Sequence, residues 1–324
     1  MKFFIRGRRV AGFSTLAVAL VALALLTVRT EATTQATDRT IFVSAVGGNG
    51  MPIIDPMLVP AEFTVTEDGT AREVTKVDKA VEPVSFAVLY ETSLCANSTS
   101  SASVKCEVGN TEANAANYVQ TLREALSGFV NVVLTAAPPT SKILLMDFAT
   151  AAVVKADFGS DLKVFEPILS RLVPLKSEPV LNEALLDVSR RMAKQQTPRR
   201  VILVVNREPT TEGSTSAQYN VVGDEVRKSG ASVWALSVRY GTRQNGGRDQ
   251  LLKALSANSG GLRITLGNVI QLGDYLRSVA ANAIVQYAVT FKRPADAPPA
   301  KVTSVKTART GVQPLTLQWS ATVK

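Results

Sequence analysis

The sequence predicts an α/β protein with a doubly wound, mostly parallel sheet and a small flanking β-domain formed from both chain ends. The first observation is a pair of apolar runs, at residues 84–90 and 201–205, each of which stops at polar residues. Such runs are typical of strands buried on both faces of a parallel sheet. The second observation is that strand-like and helix-like patterns alternate over residues 83–284. The third is that short strand patterns occupy both ends of the chain.

Residues 1–36 carry basic residues first, then an apolar segment over residues 10–28, and then small residues. This order is typical of an export signal peptide. The apolar segment is also long enough for an uncleaved N-terminal anchor, and that alternative stays open. We therefore expect an exported protein of the periplasm, the cell envelope or the secreted fraction. It would meet a membrane only through an uncleaved N-terminal segment.

Residues 39–80 form a predicted N-terminal β segment. Its strand-like runs lie at residues 41–46, 63–66 and 73–77. The dipeptide Asp68-Gly69 stands between the second and third runs, and Asp-Gly between two short strands is a strong hairpin signal.

Residues 285–324 return to strand patterns, at residues 285–292 and 314–323, with a proline-rich loop between them. Neither end of the chain has enough strands to be stable alone. The C-terminal segment is therefore predicted to pair with the N-terminal strands, so that both ends build one small β-domain.

Residues 83–284 are predicted to form the α/β domain, because apolar stripes at helical spacing lie between strand-like runs. The helical stripes are Tyr118, Leu122, Leu126, Phe129 and Val133; Leu181, Leu185, Val188 and Met192; Leu251, Leu252 and Leu255; and Leu272, Leu276 and Val279. The further strand candidates are residues 143–148, 151–156 and 232–238. The two-residue link at residues 149–150 predicts an antiparallel hairpin at the sheet edge. Each stripe is interpreted as core.

Cys95 and Cys106 lie in a segment rich in Ser, Asn and Thr that follows the first apolar run. In an oxidising compartment, two thiols that close a short polar loop are most simply a disulfide. By the chain-entropy model such a ring stabilises by about 2–3 kcal/mol. A redox or metal role is less favoured, because there is no Cys-x-x-Cys spacing and no His partner.

The composition excludes several functions. The chain has no histidine, so a Ser-His-Asp triad and a His-ligated zinc site are excluded. The net charge is +9, and part of it comes from residues 1–31, which contain five of the 36 Lys and Arg residues and one of the 27 Asp and Glu residues. The rest of the chain has 31 basic and 26 acidic residues, a net charge of +5. The remaining basic residues are scattered, so no nucleic-acid partner is expected.

Polar residues follow both apolar runs. They are Glu91, Thr92 and Ser93 after the first run and Asn206, Arg207 and Glu208 after the second. Because parallel strands end at the same edge of a sheet, and open α/β sheets bind ligands in the crevice there, these side chains are predicted to line one ligand-binding rim.

The order of these elements resembles a von Willebrand factor type A domain. The segments at residues 42–46, 50–52, 61–69 and 287–291 resemble the flanks of exported bacterial proteins that carry a von Willebrand A-related domain. This resemblance covers nearly all of the chain after the signal. It implies a metal-ion-dependent adhesion site, in which an Asp-x-Ser-x-Ser motif, a Thr and a second Asp hold Mg²⁺.

The motif that corresponds to this ion site is degenerate. Glu91 occupies the position of the first aspartate, Cys95 that of the second serine, Pro179 that of the threonine and Asn206 that of the distant aspartate. Only the first serine, Ser93, is unchanged. Mg²⁺ requires near-octahedral oxygen ligands, and proline and sulfur do not supply them. We therefore expect no cofactor and no metal. If Mg²⁺ or Ca²⁺ binds, its ligands would be Glu91, Ser93 and Glu208.

These observations predict an extracytoplasmic protein-interaction or adhesion-type module, which binds a protein or cell-surface ligand through the rim without an obligatory metal. Substitutions of the exposed rim residues Glu91 and Arg207 are expected to weaken binding with little change in stability. In the alternative interpretation, Glu91 only caps a neighbouring loop, and its substitution costs stability without changing binding. No residue is assigned a catalytic role and the protein is not expected to be an enzyme, because no nucleophile-base pair is visible. The alternatives are a metal-dependent adhesin with altered ligands and a His-free carboxylate hydrolase.

Overall fold

The computed structural model describes residues 36–47, 52–53, 57–94, 112–208, 218–240, 246–298, 300 and 302–316 of the 324-residue chain. The predicted signal peptide up to residue 35 lies outside the described residues. So do Cys95 and Cys106, and their disulfide stays a prediction.

The described strands are β1 (Ala36–Gly47), β2 (Phe63–Glu67), β3 (Thr70–Arg72), β4 (Val74–Lys79), β5 (Val84–Tyr90), β6 (Ser93–Leu94), β7 (Lys142–Asp147), β8 (Val153–Gly159), β9 (Leu175–Lys176), β10 (Arg199–Glu208), β11 (Ser232–Arg239), β12 (Arg263–Leu266), β13 (Tyr287–Pro294), β14 (Thr303–Thr307) and β15 (Val312–Thr316). The helices are α1 (Glu112–Ala136), α2 (Leu162–Ser170), α3 (Leu181–Ala193), α4 (Tyr219–Ser229), α5 (Gly246–Ser259) and α6 (Leu272–Ile284). Short 3-10 turns lie at Pro60–Glu62 and Val269–Gln271.

The central sheet has six strands in the order β12-β11-β10-β5-β7-β8. Its strands run parallel except β8, which is antiparallel to β7. All seven residues of β5 are buried, as expected of a strand covered on both faces. The chain starts in the middle of the sheet, moves to one edge and then builds the other half, which is the doubly wound arrangement. The predicted fold class and the antiparallel edge hairpin are therefore confirmed.

Helices cover both faces of this sheet, and each face has its own apolar core. Helices α1, α2 and α6 pack on one face, and α3, α4 and α5 pack on the other. The predicted stripes of α1 and α3 are fully buried, and those of α5 and α6 are at most 6% exposed. On the first face, the rings of Phe86 and Phe129 meet edge to face with their centroids 5.3 Å apart. The stripes are core, as the periodicity predicted.

The two ends of the described chain pair with each other. In a four-stranded sheet of order β15-β1-β13-β4, β1 lies antiparallel to both β13 and β15. A second sheet has the order β14-β2-β3. The hairpin between β2 and β3 turns at Asp68 (φ 48°) and Gly69 (φ 82°), where the Asp-Gly dipeptide predicted a turn. Its second strand is β3, whereas the predicted run at residues 73–77 falls in β4, which pairs with β13 instead. Strand β14 was not predicted, and residues 317–323 of the last predicted strand lie outside the described residues.

A buried polar network joins this β-domain to the amino ends of the central strands. Arg199, at the start of β10, is 1% exposed and donates to Gln286 Oε1 at 3.0 Å and to the carbonyl of Ile284 at 2.7 Å. Gln286 Nε2 donates to Ser44 Oγ at 3.1 Å, and Ser44 Oγ donates to the carbonyl of Asn282 at 2.7 Å. The network therefore links β1, the end of α6 and β10.

None of the helices in the described part of the chain is both long and apolar enough to cross a membrane.

Candidate functional site

The six polar residues predicted at the rim meet at the carboxyl edge of the central sheet. Strands β5 and β10 are neighbours, with Tyr90 opposite Val205, so the residues that follow each strand lie side by side. The site also includes side chains from β7, β11 and α5, described below. All six predicted residues, however, are at most 1% exposed. They form a buried cluster instead of an open rim.

Glu91 lies at the centre of the cluster and is fully buried. Its Oε2 accepts a hydrogen bond from Arg248 Nη1 at 2.8 Å, and both side chains of this ion pair are 0% exposed. The hydroxyl of Ser93 donates to Glu91 Oε1 at 2.5 Å, and the backbone N–H of Arg207 donates to Oε2 at 3.3 Å. The carboxylate is thus held by one cation and two neutral donors.

Arg207 is 1% exposed and lies between two aromatic rings. Its guanidinium carbon is 5.3 Å from the centroid of Tyr118 and 5.6 Å from that of Tyr240. Its Nη1 donates to the carbonyl of Ser93 at 2.8 Å. Burial raises the pKa of Tyr118 well above its usual value, and the nearby charge of Glu91 raises it further. Tyr118 is therefore a neutral ring that stabilises the Arg207 cation.

The other predicted residues make hydrogen bonds on either side of Glu91. Ser237 Oγ, from β11, donates to Asn206 Oδ1 at 2.6 Å, and Asn206 Nδ2 donates to Glu208 Oε1 at 3.3 Å. Thr92 Oγ1 donates to Asp147 Oδ2 at 2.8 Å. Burial raises the pKa of the Asp147 carboxyl, while its hydrogen bond from Thr92 opposes that shift. The site therefore contains three carboxylates, and each has a partner.

The prediction that Glu91 and Arg207 are exposed rim residues is wrong. A charged group can be buried when an opposite charge, hydrogen-bond donors or an aromatic face replace water. Arg248 and Ser93 do this for Glu91, and Tyr118 and Tyr240 do it for Arg207. Substituting either residue is consequently expected to cost stability, in contrast to the expectation from the sequence.

Arg248 was not predicted as a site residue, although the sequence carries a signal for it. It lies in the first turn of α5, on the same helical face as the buried residues Leu251, Leu252 and Leu255. An arginine in phase with a core stripe indicates a buried cation, because such a residue is rarely buried without a partner. Asp147, at the end of β7, was missed for a similar reason: it is inside an apolar run and is 5% exposed.

The residues at this position do not fit Mg²⁺ or Ca²⁺. The Glu91 carboxylate is bound by the Arg248 guanidinium, whose charge would oppose a divalent ion there. Asn206 brings no negative charge to the position of the distant aspartate, and Pro179 has no side-chain oxygen. Within the described ranges no group of three or more His, Cys, Asp or Glu is placed to hold a metal. Cys95 lies outside those ranges.

No protein-family model matches the sequence, and no curated protein matches it. One similar solved structure is that of proximal thread matrix protein 1 from the mussel byssus, with a zinc-occupied MIDAS motif. It is 14% identical to this chain, with a TM-score of 0.45, and the match covers 67% of this chain and 49% of the mussel protein. A von Willebrand factor type A protein from Catenulispora acidiphila is 10% identical, with a TM-score of 0.47, over 88% and 73%. The PilB minor pilin from Streptococcus sanguinis is 6% identical, with a TM-score of 0.47, over 63% of each chain.

The chain spans about half the length of the mussel protein that it matches. The three TM-scores are below 0.5, so the fold assignment depends on the strand order of the protein itself.

Proposed function

We propose that this protein is an extracytoplasmic interaction module of the von Willebrand A type, whose carboxyl edge binds a protein or cell-surface ligand without a metal ion. The observation that carries the proposal is the buried ion pair between Glu91 and Arg248. The export signal predicted in residues 1–36 supports an extracytoplasmic location. The crevice beyond the strands is where open α/β sheets bind their ligands.

The ion pair supports metal independence because the Arg248 side chain supplies the positive charge that a metal ion would otherwise bring to Glu91. The Arg248 guanidinium lies 2.8 Å from Glu91 Oε2 and belongs to α5, so it cannot dissociate as a bound ion can. Arginine also stays charged at any physiological pH. The pair connects the end of β5 to α5, and Arg207 connects β10 to the same cluster. The edge is thus held by contacts between groups of the chain itself.

The same cluster supports a binding role over an enzymatic one. A general acid, base or nucleophile must reach a substrate atom, and Ser93, although its hydroxyl lies 2.5 Å from Glu91 Oε1, is only 1% exposed. Glu91 is fully buried and its partners are Arg248, Ser93 and the backbone of Arg207. We therefore assign these residues a structural role, beneath the surface that meets the ligand.

Metal independence is tested by thermal unfolding with millimolar Mg²⁺, Mn²⁺ or Ca²⁺. The expected result is an unchanged melting temperature in each case. An ion that binds the folded state at 100 times its Kd stabilises by about 2.7 kcal/mol, which is roughly 5–10 °C for a domain of this size. A dose-dependent rise of that size, abolished by Glu91→Ala, would show a metal-dependent adhesin instead.

The binding edge is tested with a photo-crosslinking amino acid at one of two exposed positions. Val173 is 57% exposed and lies two residues before Leu175, whose N–H donates to the carbonyl of Thr92 at the carboxyl edge. Val81 is 77% exposed and precedes β5, so it marks the opposite edge and is the matched control. In an extract of the source cells, the probe at position 173 should crosslink a partner and the probe at position 81 should not. The reverse pattern would contradict the proposal.

A further inference from the structure

A cleft of about 300 Å³ opens at the carboxyl edge, beside the buried cluster. It lies between β7, β8 and the segment after α2. Its walls include Ile168, Val173 and Leu175, of which Val173 is 57% and Leu175 36% exposed. A volume of this size is at the lower end of ligand pockets, and exposed apolar walls favour an apolar group of similar size.

Asp147 is one of the residues that line this cleft. It is 5% exposed, and its two oxygens accept from Thr92 Oγ1 at 2.8 Å and from the backbone N–H of Ala149 at 3.0 Å. These bonds fix the orientation of the carboxylate. A carboxylate has about four acceptor positions, so Asp147 can accept one more hydrogen bond from a ligand.

Lys155 and Arg171 bring two positive charges to the same cleft. Both residues are exposed, and the positive charge of Lys155 acts on the Asp147 carboxyl, whose pKa it lowers against the larger effect of burial. Lys155 is the extra residue of a β-bulge: Leu145 pairs with Ala156 and the next residue, Met146, pairs with Val154. Bulges at sheet edges redirect a side chain, and here the bulged residue lines the cleft.

We propose that this cleft binds the carboxyl-terminal residue of a partner polypeptide that ends in a large apolar side chain. The apolar side chain would pack against Ile168, Val173 and Leu175. The terminal carboxylate would pair with Lys155 and Arg171, and the last peptide N–H would donate to Asp147. The inference depends on the proposed function and specifies the partner's chemistry.

The charges of the cleft favour this occupant. Two cations against one carboxylate leave an excess of one positive charge, which a single anionic group balances. The apolar walls and the acceptor Asp147 require an apolar group and an N–H donor close to that anion. A C-terminal residue such as leucine has all three within one amino acid.

The test measures binding of a fluorescein-labelled pentapeptide, Gly-Ser-Gly-Ser-Leu with a free carboxylate, by fluorescence anisotropy. The same peptide with a C-terminal amide, and a peptide that ends in glycine, should each bind about five- to tenfold more weakly. Lys155→Gln with Arg171→Gln should cause a similar loss. Lys163→Gln, an exposed lysine on α2 outside the cleft, is the matched control and should bind like the wild type.

Three results would overturn the inference. They are equal binding of the acid and the amide, no binding of the leucine peptide, or equally tight binding of 4-methylpentanoate, which would indicate a site for small free acids. An unchanged melting temperature of the double variant shows that any loss is not due to unfolding. If the probe at Val173 still crosslinks a partner while the peptides fail, only this inference is wrong and the proposed function stands.

Discussion

Replacing Arg248 by methionine should strongly destabilise the protein, because it leaves the Glu91 charge buried. Both side chains of this ion pair are 0% exposed. Breaking a buried pair by removing one partner costs about 3–5 kcal/mol. Two donors to Glu91 remain, the Ser93 hydroxyl and the Arg207 N–H, so we expect the lower end of that range, about 3 kcal/mol. For a domain of 150–250 residues this corresponds to a fall in melting temperature of about 6–12 °C.

The assay is urea unfolding of four proteins in a double-mutant cycle: the wild type, Arg248→Met, Glu91→Gln and the double variant. The double variant has no unpaired charge and should be more stable than Arg248→Met by about 2 kcal/mol. Arg227→Met is the matched control, because Arg227 pairs with Asp224 at a side-chain exposure of 57% and should cost less than about 1 kcal/mol. Additive effects of the two substitutions, or an equal cost for Arg227→Met, would refute the reasoning.

Three further predictions concern other parts of the chain. Burial raises the pKa of Asp147 in the folded protein. Its contribution to stability is therefore present below the unfolded pKa of about 3.9 and is lost as the pH rises through the higher folded pKa. Asp147→Asn should flatten this loss in unfolding free energies measured between about pH 4 and 7, and an unchanged slope would contradict the prediction. Deleting residues 295–324 removes β14 and β15, so β1 and β2 each lose a neighbouring strand. Residues 36–79 should then be cleaved rapidly in limited proteolysis. Protection equal to that of the full chain would show that the pairing is dispensable. Cys95 and Cys106 should resist alkylation until the protein is reduced, and free thiols found by mass spectrometry in the exported protein would exclude the disulfide.

The parts of the fold that the sequence predicted are those with a local signal. Strand β5 is an unbroken apolar run, and the stripe of α1 repeats at the helical period, so each segment specifies its own burial. Strand β14 was missed because Thr-Ser-Val-Lys-Thr has a single apolar residue, Val305, and is ordered by its pairing with β2. Long-range pairing of this kind leaves no local periodicity to detect.

The sequence predicted which polar residues meet at the site, but it did not predict that they are buried. The polar residues after β5 and β10 do meet, since neighbouring parallel strands end together. Their burial was not predicted, because the residue that neutralises Glu91 is 157 positions away in the sequence. A sequence shows which strand ends carry charge, but a partner that distant is found only through the tertiary structure.

The network around Arg199 places the β-domain and the Glu91 cluster at opposite ends of the central strands. It attaches the β-domain to the amino ends of the central strands, whereas the Glu91 cluster and the cleft lie at their carboxyl ends. The chain enters the α/β domain from β4 and leaves it into β13 on that same amino side. A protein tethered through the residues before β1 would therefore stand on its β-domain, with the binding edge pointing away from the surface that holds it. The β-domain would then act as a spacer between that surface and the carboxyl edge.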